Sequence, residues 1–269
     1  MNLLNTQLCK SFKSKTIIKV ITGIDNNDIS QIIQIARAAE ISYASYLDVI
    51  ANPKIVKLLK SFSSLPICVS SINPIDIYNC VSVGADMIEI GNYNFFYQKG
   101  IYLGSSEIIE LVQEIKSLIG KIDICVTIPY YLDLNQQVTL AQKLELLGIN
   151  LLQTEGVFVP KDSQEKNSLL NHLTDRTNLY SLSLLSTCIL SNYVSIPIIT
   201  SSGVNSLSAN IAKFYGASGV GIGSAITKQD NIYSMVKYIN EVYYSLVKEN
   251  NSEYMNKLSI TNLFKSKVR

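Results

Sequence analysis

Short apolar runs recur along the chain, and after each comes a longer stretch whose apolar positions return every three or four residues. The first pattern is that of a buried strand and the second that of an amphipathic helix laid over it. Eight such pairs can be traced. Strands are expected at 17–22, 46–50, 67–70, 87–90, 124–128, 150–154, 197–200 and 219–222. Helices are expected near 28–42, 53–63, 74–83, 105–119, 133–147, 177–193, 206–215 and 231–249. Strand and helix in steady alternation make a parallel sheet covered by helices. Eight units in 269 residues favour a closed (β/α)8 TIM barrel over an open sheet. Asp28, Asn52-Pro53, Asn73-Pro74, Asp133 and Ser206 stand where helices should open. Gly84, Gly148 and Gly216 stand where helices should close ahead of strands 4, 6 and 8. The chain then divides into an N-terminal extension over 1–16, a barrel over 17–249 and a polar tail over 250–269.

Strand side chains alternate between two faces. If Ile88 and Ile90 face the helices, Met87, Glu89 and Gly91 face the barrel interior. The same parity turns Tyr46 and Asp48, Cys68 and Ser70, and Cys125 and Thr127 inward, with Lys19 and Ile21 inward under one choice for strand 1. Lys19, Asp48 and Glu89 therefore share the interior. Buried charges are costly unless paired, so the three should contact one another. They form either an acid/base set or a structural ion pair filling the barrel floor. Glu89, two residues before Gly91, is expected near the upper rim and is the stronger catalytic candidate, whereas Lys19 sits deeper. Glu155, in Gln153-Thr154-Glu155-Gly156, reads either as a second carboxylate over the barrel mouth or as a solvated loop residue. Asn92, Tyr93 and Asn94 read either as substrate contacts or as a turn.

Two small-residue turns follow the last two strands: Thr200-Ser-Ser-Gly203 and Gly221-Ile-Gly-Ser224. Each leaves backbone N–H groups unobstructed ahead of a helix, which is how a protein can hold a phosphate without charged side chains. In a (β/α)8 barrel the phosphate site commonly lies after strands 7 and 8. Ser202, Gly203, Gly223 and Ser224 are thus the expected phosphate-binding residues.

Composition narrows the ligand classes. With 47% hydrophobic and 16% charged residues, a large core can form. A net charge of +2 without a basic stripe excludes a nucleic-acid partner from the reading. Residues 177–212 carry no charge, but Ser, Asn and Thr crowd the stretch and Pro197 and Gly203 interrupt it, so it reads as buried helix and strand rather than a membrane span. Lys10, Lys13 and Lys15 are not followed by the compact apolar segment of a signal peptide. Of five cysteines none lies in a CxxC, and core thiols in a reducing compartment are expected. One histidine, His172, excludes a His-rich metal centre, and no metal site is expected. The loop over 156–176, with Lys161, Asp162, Glu165, Lys166, His172, Asp175 and Arg176, reads as a lid or as filler. The polar tail reads as a surface extension or an oligomer contact, which keeps a homo-oligomer open.

The run Gly216-Ala-Ser-Gly-Val-Gly-Ile-Gly-Ser-Ala-Ile-Thr227 resembles the last strand of ribulose-phosphate-binding barrels, among them the N-acylmannosamine-6-phosphate epimerases and the thiamine-phosphate and tryptophan-pathway barrels. Lys19-Val-Ile-Thr-Gly-Ile24 resembles the opening of phosphoribosylanthranilate isomerases, with Thr22 where those carry cysteine. Ser201-Ser202 stands where the epimerase pattern has an acidic residue. What the resemblance implies is phosphate binding, not either family's reaction. Ala51-Asn-Pro53, Leu65-Pro-Ile-Cys-Val-Ser-Ser71, Ala85-Asp-Met-Ile-Glu-Ile-Gly-Asn92, Gly148-Ile-Asn-Leu-Leu-Gln-Thr-Glu-Gly156 and Ser202-Gly-Val-Asn-Ser206 together resemble the hypothetical chloroplast reading frame twenty-three family. That resemblance covers nearly the whole chain and implies a soluble protein of the plastid stroma. Heavy use of Ile, Asn, Lys, Ser and Tyr fits the AT-rich genome of an organelle.

The chain is therefore expected to bind a phosphorylated small molecule and to act as an isomerase, epimerase or lyase by proton transfer. A non-catalytic metabolite sensor or scaffold and an FMN-binding barrel are the alternatives, and the cofactor is left open.

Overall fold

The computed structural model describes residues 3–23, 25–91, 93–156 and 181–248. Most of the 156–176 loop with its charged residues, the 250–269 tail and Asn92 lie outside the described residues. The elements run α1 (Thr6–Lys13), β1 (Ile17–Ile21), α2 (Ile29–Glu40), β2 (Tyr46–Ile50), α3 (Pro53–Lys60), β3 (Ile67–Ser71), α4 (Pro74–Ser82) and β4 (Met87–Ile90). They continue with α5 (Asn94–Tyr97), α6 (Ser105–Leu118), β5 (Asp123–Ile128), α7 (Leu134–Leu146), β6 (Leu151–Thr154) and α8 (Ser181–Leu190). The last are β7 (Ile198–Thr200), α9 (Ser206–Phe214), β8 (Gly219–Ile222), α10 (Ser224–Thr227) and α11 (Ile232–Val247). All eight strands pair in parallel in sequence order, and β8 pairs back onto β1, closing a (β/α)8 barrel. No helix among the described residues is long and apolar enough to cross a membrane.

Local sequence sets the helix starts. Asp28 accepts the Ser30 and Gln31 N–H groups, Asn73 those of Ile75 and Asp76, and Asp133 closes a reciprocal box with Gln136. Asn52 and Asn73 are each followed by proline at the first helical position. The cap of α9 is Asn205, one residue ahead of the expected Ser206, because the amide oxygen of Asn205 reaches the Leu207 and Ser208 N–H groups. Gly84, Gly148 and Gly216 take positive φ just ahead of the next strand, as expected.

Strand alternation divides the side chains into an outer layer and a filled interior. Ile18, Val20, Leu47, Val49, Val69, Ile88, Val126, Leu152 and Val220 pack outward against the helices. The interior floor is apolar: Ile17, Tyr46, Cys68, Met87, Cys125, Leu151 and Ile199. The N-terminal segment is part of this floor. Leu8 and Phe12 of α1 are buried in it, and the Asp123 carboxylate takes the N–H groups of Leu4 and Asn5 at 2.9 Å. The 1–16 extension thus carries a helix that plugs the barrel's lower end.

Candidate functional site

Above the floor lies a polar tier. Lys19, Asp48 and Glu89 meet there, as strand parity predicts, and none is more than 1% exposed. The Lys19 Nζ lies 2.9 Å from Asp48 Oδ2 and is in direct contact with Glu89 Oε2. It also donates to the Gln153 side-chain oxygen at 2.8 Å. Glu89 Oε1 accepts from Thr127 Oγ1 at 3.0 Å and from the Gln153 amide at 2.8 Å. Ser70 donates to Asp48 Oδ1. Buried ions persist only when their remaining hydrogen-bonding positions are filled. These side chains fill those of Glu89 and of Asp48 Oδ1, while Asp48 Oδ2 is held by the Lys19 charge without a directed hydrogen bond. Burial by itself would lower the Lys19 ammonium, but Asp48 and Glu89 outweigh it and hold it well above its ordinary value. Lys19 is therefore a fixed cation. Burial pushes the Asp48 carboxyl up to about 6 against the opposing pull of Lys19.

This tier corrects one expectation. Glu89 does not stand at the upper rim but is fully buried. The next inward residue above it, Gly91, lies so close to Thr127 that a Cβ there would be 2.3 Å from Thr127 Oγ1. Thr127 and Gln153, both bonded to Glu89 Oε1, cover the carboxylate.

The mouth above the tier holds a pocket of about 140 Å³. The backbone and small side chains of Ser201, Ser202, Gly203, Val204, Gly223, Ser224 and Ala225 line it, with Ile21, Ile222, Gln153 and Glu155 completing the wall. All four expected phosphate residues are therefore brought together. Lys19, Asp48 and Glu89 do not line it. They connect to it through Gln153, which bonds Lys19 and Glu89 below and faces the pocket above.

The turn after β7 is unusual in its backbone. Ser202 has φ +73° and Gly203 φ +70°. The left-handed conformation costs a serine on the order of 1 kcal/mol, and such residues cluster at functional sites. Two of them in succession bring main chain rather than side chains to the pocket wall. No acceptor among the described residues takes the N–H groups of Gly203, Val204, Ser224 or Ala225. Across the turn, Gly221 lies against Ser201, where a Cβ would come within 2.9 Å of its Oγ.

Sequence reading left Glu155 open between mouth carboxylate and solvated residue. It is a buried mouth residue, 5% exposed. Its Oε1 accepts the Tyr97 hydroxyl and, at 3.2 Å, the Tyr130 N–H. Burial pushes its carboxyl up to about 8, against these two hydrogen bonds, which act downward. Gln153 received no role from the sequence, although the inward parity of β6 places it beside Glu155. The buried thiols of Cys68 and Cys125 lie in the floor with pKa values raised by burial, which makes them packing groups.

The fold and the shared mouth of β7 and β8 define the class: a closed (β/α)8 barrel with a pocket over its last two strands. Residues 3–252 match the model of the family described as "protein of unknown function (DUF561)", and the chain belongs to that family. It is 47% identical over 264 residues, 95% of each chain, to "uncharacterized protein ycf23" of Antithamnion sp.. The relatives' ycf23 designation is that of the family the sequence resembles, so that resemblance holds. Among solved structures, (S)-3-O-geranylgeranylglyceryl phosphate synthase from Thermoplasma acidophilum, in complex with its substrate sn-glycerol-1-phosphate, superposes with a TM-score of 0.61. The identity is 12%, over 91% of this chain and 99% of that one. Orotidine 5'-phosphate decarboxylase from Pyrococcus horikoshii superposes with a TM-score of 0.57 at 13% identity, over 86% of this chain and 100% of that one. At such identities the likeness is one of fold.

Proposed function

We propose that this barrel binds a phosphorylated small molecule in the plastid stroma and acts on it as an isomerase, epimerase or lyase. Ser202, Gly203, Gly223 and Ser224 hold the phosphoryl group. The observation that carries the reading is the one pocket shared by the β7 and β8 turns and walled by main chain. Convergent backbone N–H groups suit an anion whose charge is spread over several oxygens. The phosphate compounds named for the two solved structures support the same ligand class. The pocket's volume, about 140 Å³, falls below the roughly 300–1,000 Å³ typical of drug-sized sites. A phosphoryl group on a short carbon chain fits it better than a flavin.

Lys19, Asp48 and Glu89 take a positioning role in this reading. They hold the Gln153 amide against the ligand and set the field in which a proton moves. A second reading, a non-catalytic metabolite sensor, is favoured by the full burial of these three groups beneath the pocket.

Thermal unfolding with inorganic phosphate and a panel of sugar phosphates tests the binding claim. A ligand at about 100 times its Kd adds about 2.7 kcal/mol, a Tm rise of roughly 5–10 °C. Gly203→Asp, which tolerates the left-handed backbone but places a carboxylate in the turn, should abolish the rise. If no phosphate compound raises Tm, the ligand class is wrong. Turnover then separates enzyme from sensor. Glu89→Gln should misplace the Gln153 amide and slow turnover by about 100-fold while ligand still binds, and bound phosphate compounds that the wild type all leaves unaltered would favour the sensor.

A further inference from the structure

Glu155 is the one ionisable side chain among the described residues lining the pocket. Its two protein partners, the Tyr97 hydroxyl and the Tyr130 N–H, both sit on Oε1. That leaves Oε2 for the pocket. Tyr97 is itself fixed: its ring stacks on Tyr102 at 5.1 Å and meets Tyr130 and Tyr131 edge-on at 5.6 Å. The carboxyl is therefore oriented before any ligand arrives, and Gln153, two residues earlier on the same strand face, sets an amide beside it. One pocket thus combines main chain suited to an anion with an oriented carboxyl and an oriented amide.

We propose that Glu155 reads the carbon chain of the ligand, its Oε2 hydrogen-bonding a hydroxyl or carbonyl oxygen close to the phosphoryl group, so that the substrate class is a short hydroxylated phosphate ester. This rests on the phosphate reading above and adds the residue that would distinguish one phosphate compound from another.

Charge supports the geometry. An ionised carboxylate sharing so small a pocket with a phosphate would repel it, whereas a neutral acid donates a hydrogen bond instead. Burial, which lifts the Glu155 carboxyl to about 8, keeps it protonated at neutral pH. The groups facing it agree. Burial holds the Tyr93, Tyr97 and Tyr131 hydroxyls above their ordinary values, so they stay neutral. Glu89 adds to the rise in Glu155, and Lys19 counterbalances its charge from below.

The test is calorimetric titration of the full chain with glycerol 3-phosphate, n-propyl phosphate and inorganic phosphate. The first two share a three-carbon chain and differ in the hydroxyls. At pH 7 wild type should prefer glycerol 3-phosphate over n-propyl phosphate by about tenfold or more, as sites built to bond a hydroxyl do. In Glu155→Ala the preference should fall to about threefold or less, with inorganic phosphate bound as in wild type. Glu155→Gln keeps an acceptor for Tyr97 and Tyr130 and cannot ionise. It should retain the preference at pH 7 and keep it at pH 9, where wild type loses affinity for glycerol 3-phosphate. Equal binding of the two esters by wild type, or a preference that survives in Glu155→Ala, overturns the role of Glu155 while leaving the phosphate site standing. An identical loss at pH 9 in wild type and Glu155→Gln overturns it as well. Failure of all three probes to bind wild type removes the phosphate reading itself, and this inference with it.

Discussion

A carboxyl that stays protonated at neutral pH is a stability element as well as a chemical one. The folded Glu155 titrates at about 8, above its ordinary value of 4.5. The native state therefore holds this proton more tightly than the unfolded chain does. By linkage, its contribution is full below about pH 4.5 and is lost as pH rises to about 8. At about 1.36 kcal/mol per pKa unit the swing is on the order of 5 kcal/mol. Glu155→Gln should accordingly gain stability relative to wild type as pH rises from 5 to 8, and gain no more beyond about 9. Urea unfolding midpoints at pH 5, 7 and 9 measure this, and a constant difference would mean that the carboxyl is solvated in the native protein. The sequence left Glu155 open between a mouth carboxylate and a solvated loop residue. Its burial could not be read from sequence because it depends on Tyr97 and Tyr130, which arrive from α5 and from the segment after β5.

At the scale of elements, the barrel closes where β8 returns to β1. Gly219 pairs with Ile17 there, and a Cβ on it would sit 2.3 Å from Ile17 Cβ and 2.5 Å from the Ile17 carbonyl oxygen. Because backbone cannot yield as a flexible side chain can, Gly219→Ala should destabilise by about 1–3 kcal/mol or more. Gly120→Ala, in open space, should stay within about 0.5 kcal/mol of wild type. Matched losses in urea unfolding would show that β8 does not need that close approach. Strand and helix ends were largely legible in advance because they are written locally: Asp28, Asn52-Pro53 and Asp133 each act on N–H groups within a few residues. α1 was not. Leu8 and Phe12 stand four apart on its buried face, but eight residues hold too short a period to stand out, and no strand precedes it.

For the molecule as a whole, α1 makes the N-terminal segment part of the barrel. Leu8 and Phe12 seal an interior that the Lys19–Asp48–Glu89 tier separates from the mouth. Phe12→Ala should therefore cost about 3–5 kcal/mol in equilibrium unfolding, while the folded protein's affinity for glycerol 3-phosphate stays as in wild type. A loss under about 1 kcal/mol would mean that α1 only rests on the barrel, and a large change in affinity would mean that floor and mouth are coupled.

The sequence by itself determined the barrel and its interior. A two-residue alternation along the strands places Asp48 and Glu89 in the interior, adds Lys19 under one of the two parities of β1, and the strand order sets the β7 and β8 turns at one mouth. Only the tertiary structure decided depth and access. Whether a charged group meets ligand or is covered by its neighbours depends on contacts between strands distant in the chain, such as Thr127 and Gln153 on Glu89. Those contacts bury Glu89, make Gln153 the link to the pocket, and leave Glu155 as the carboxyl at the mouth.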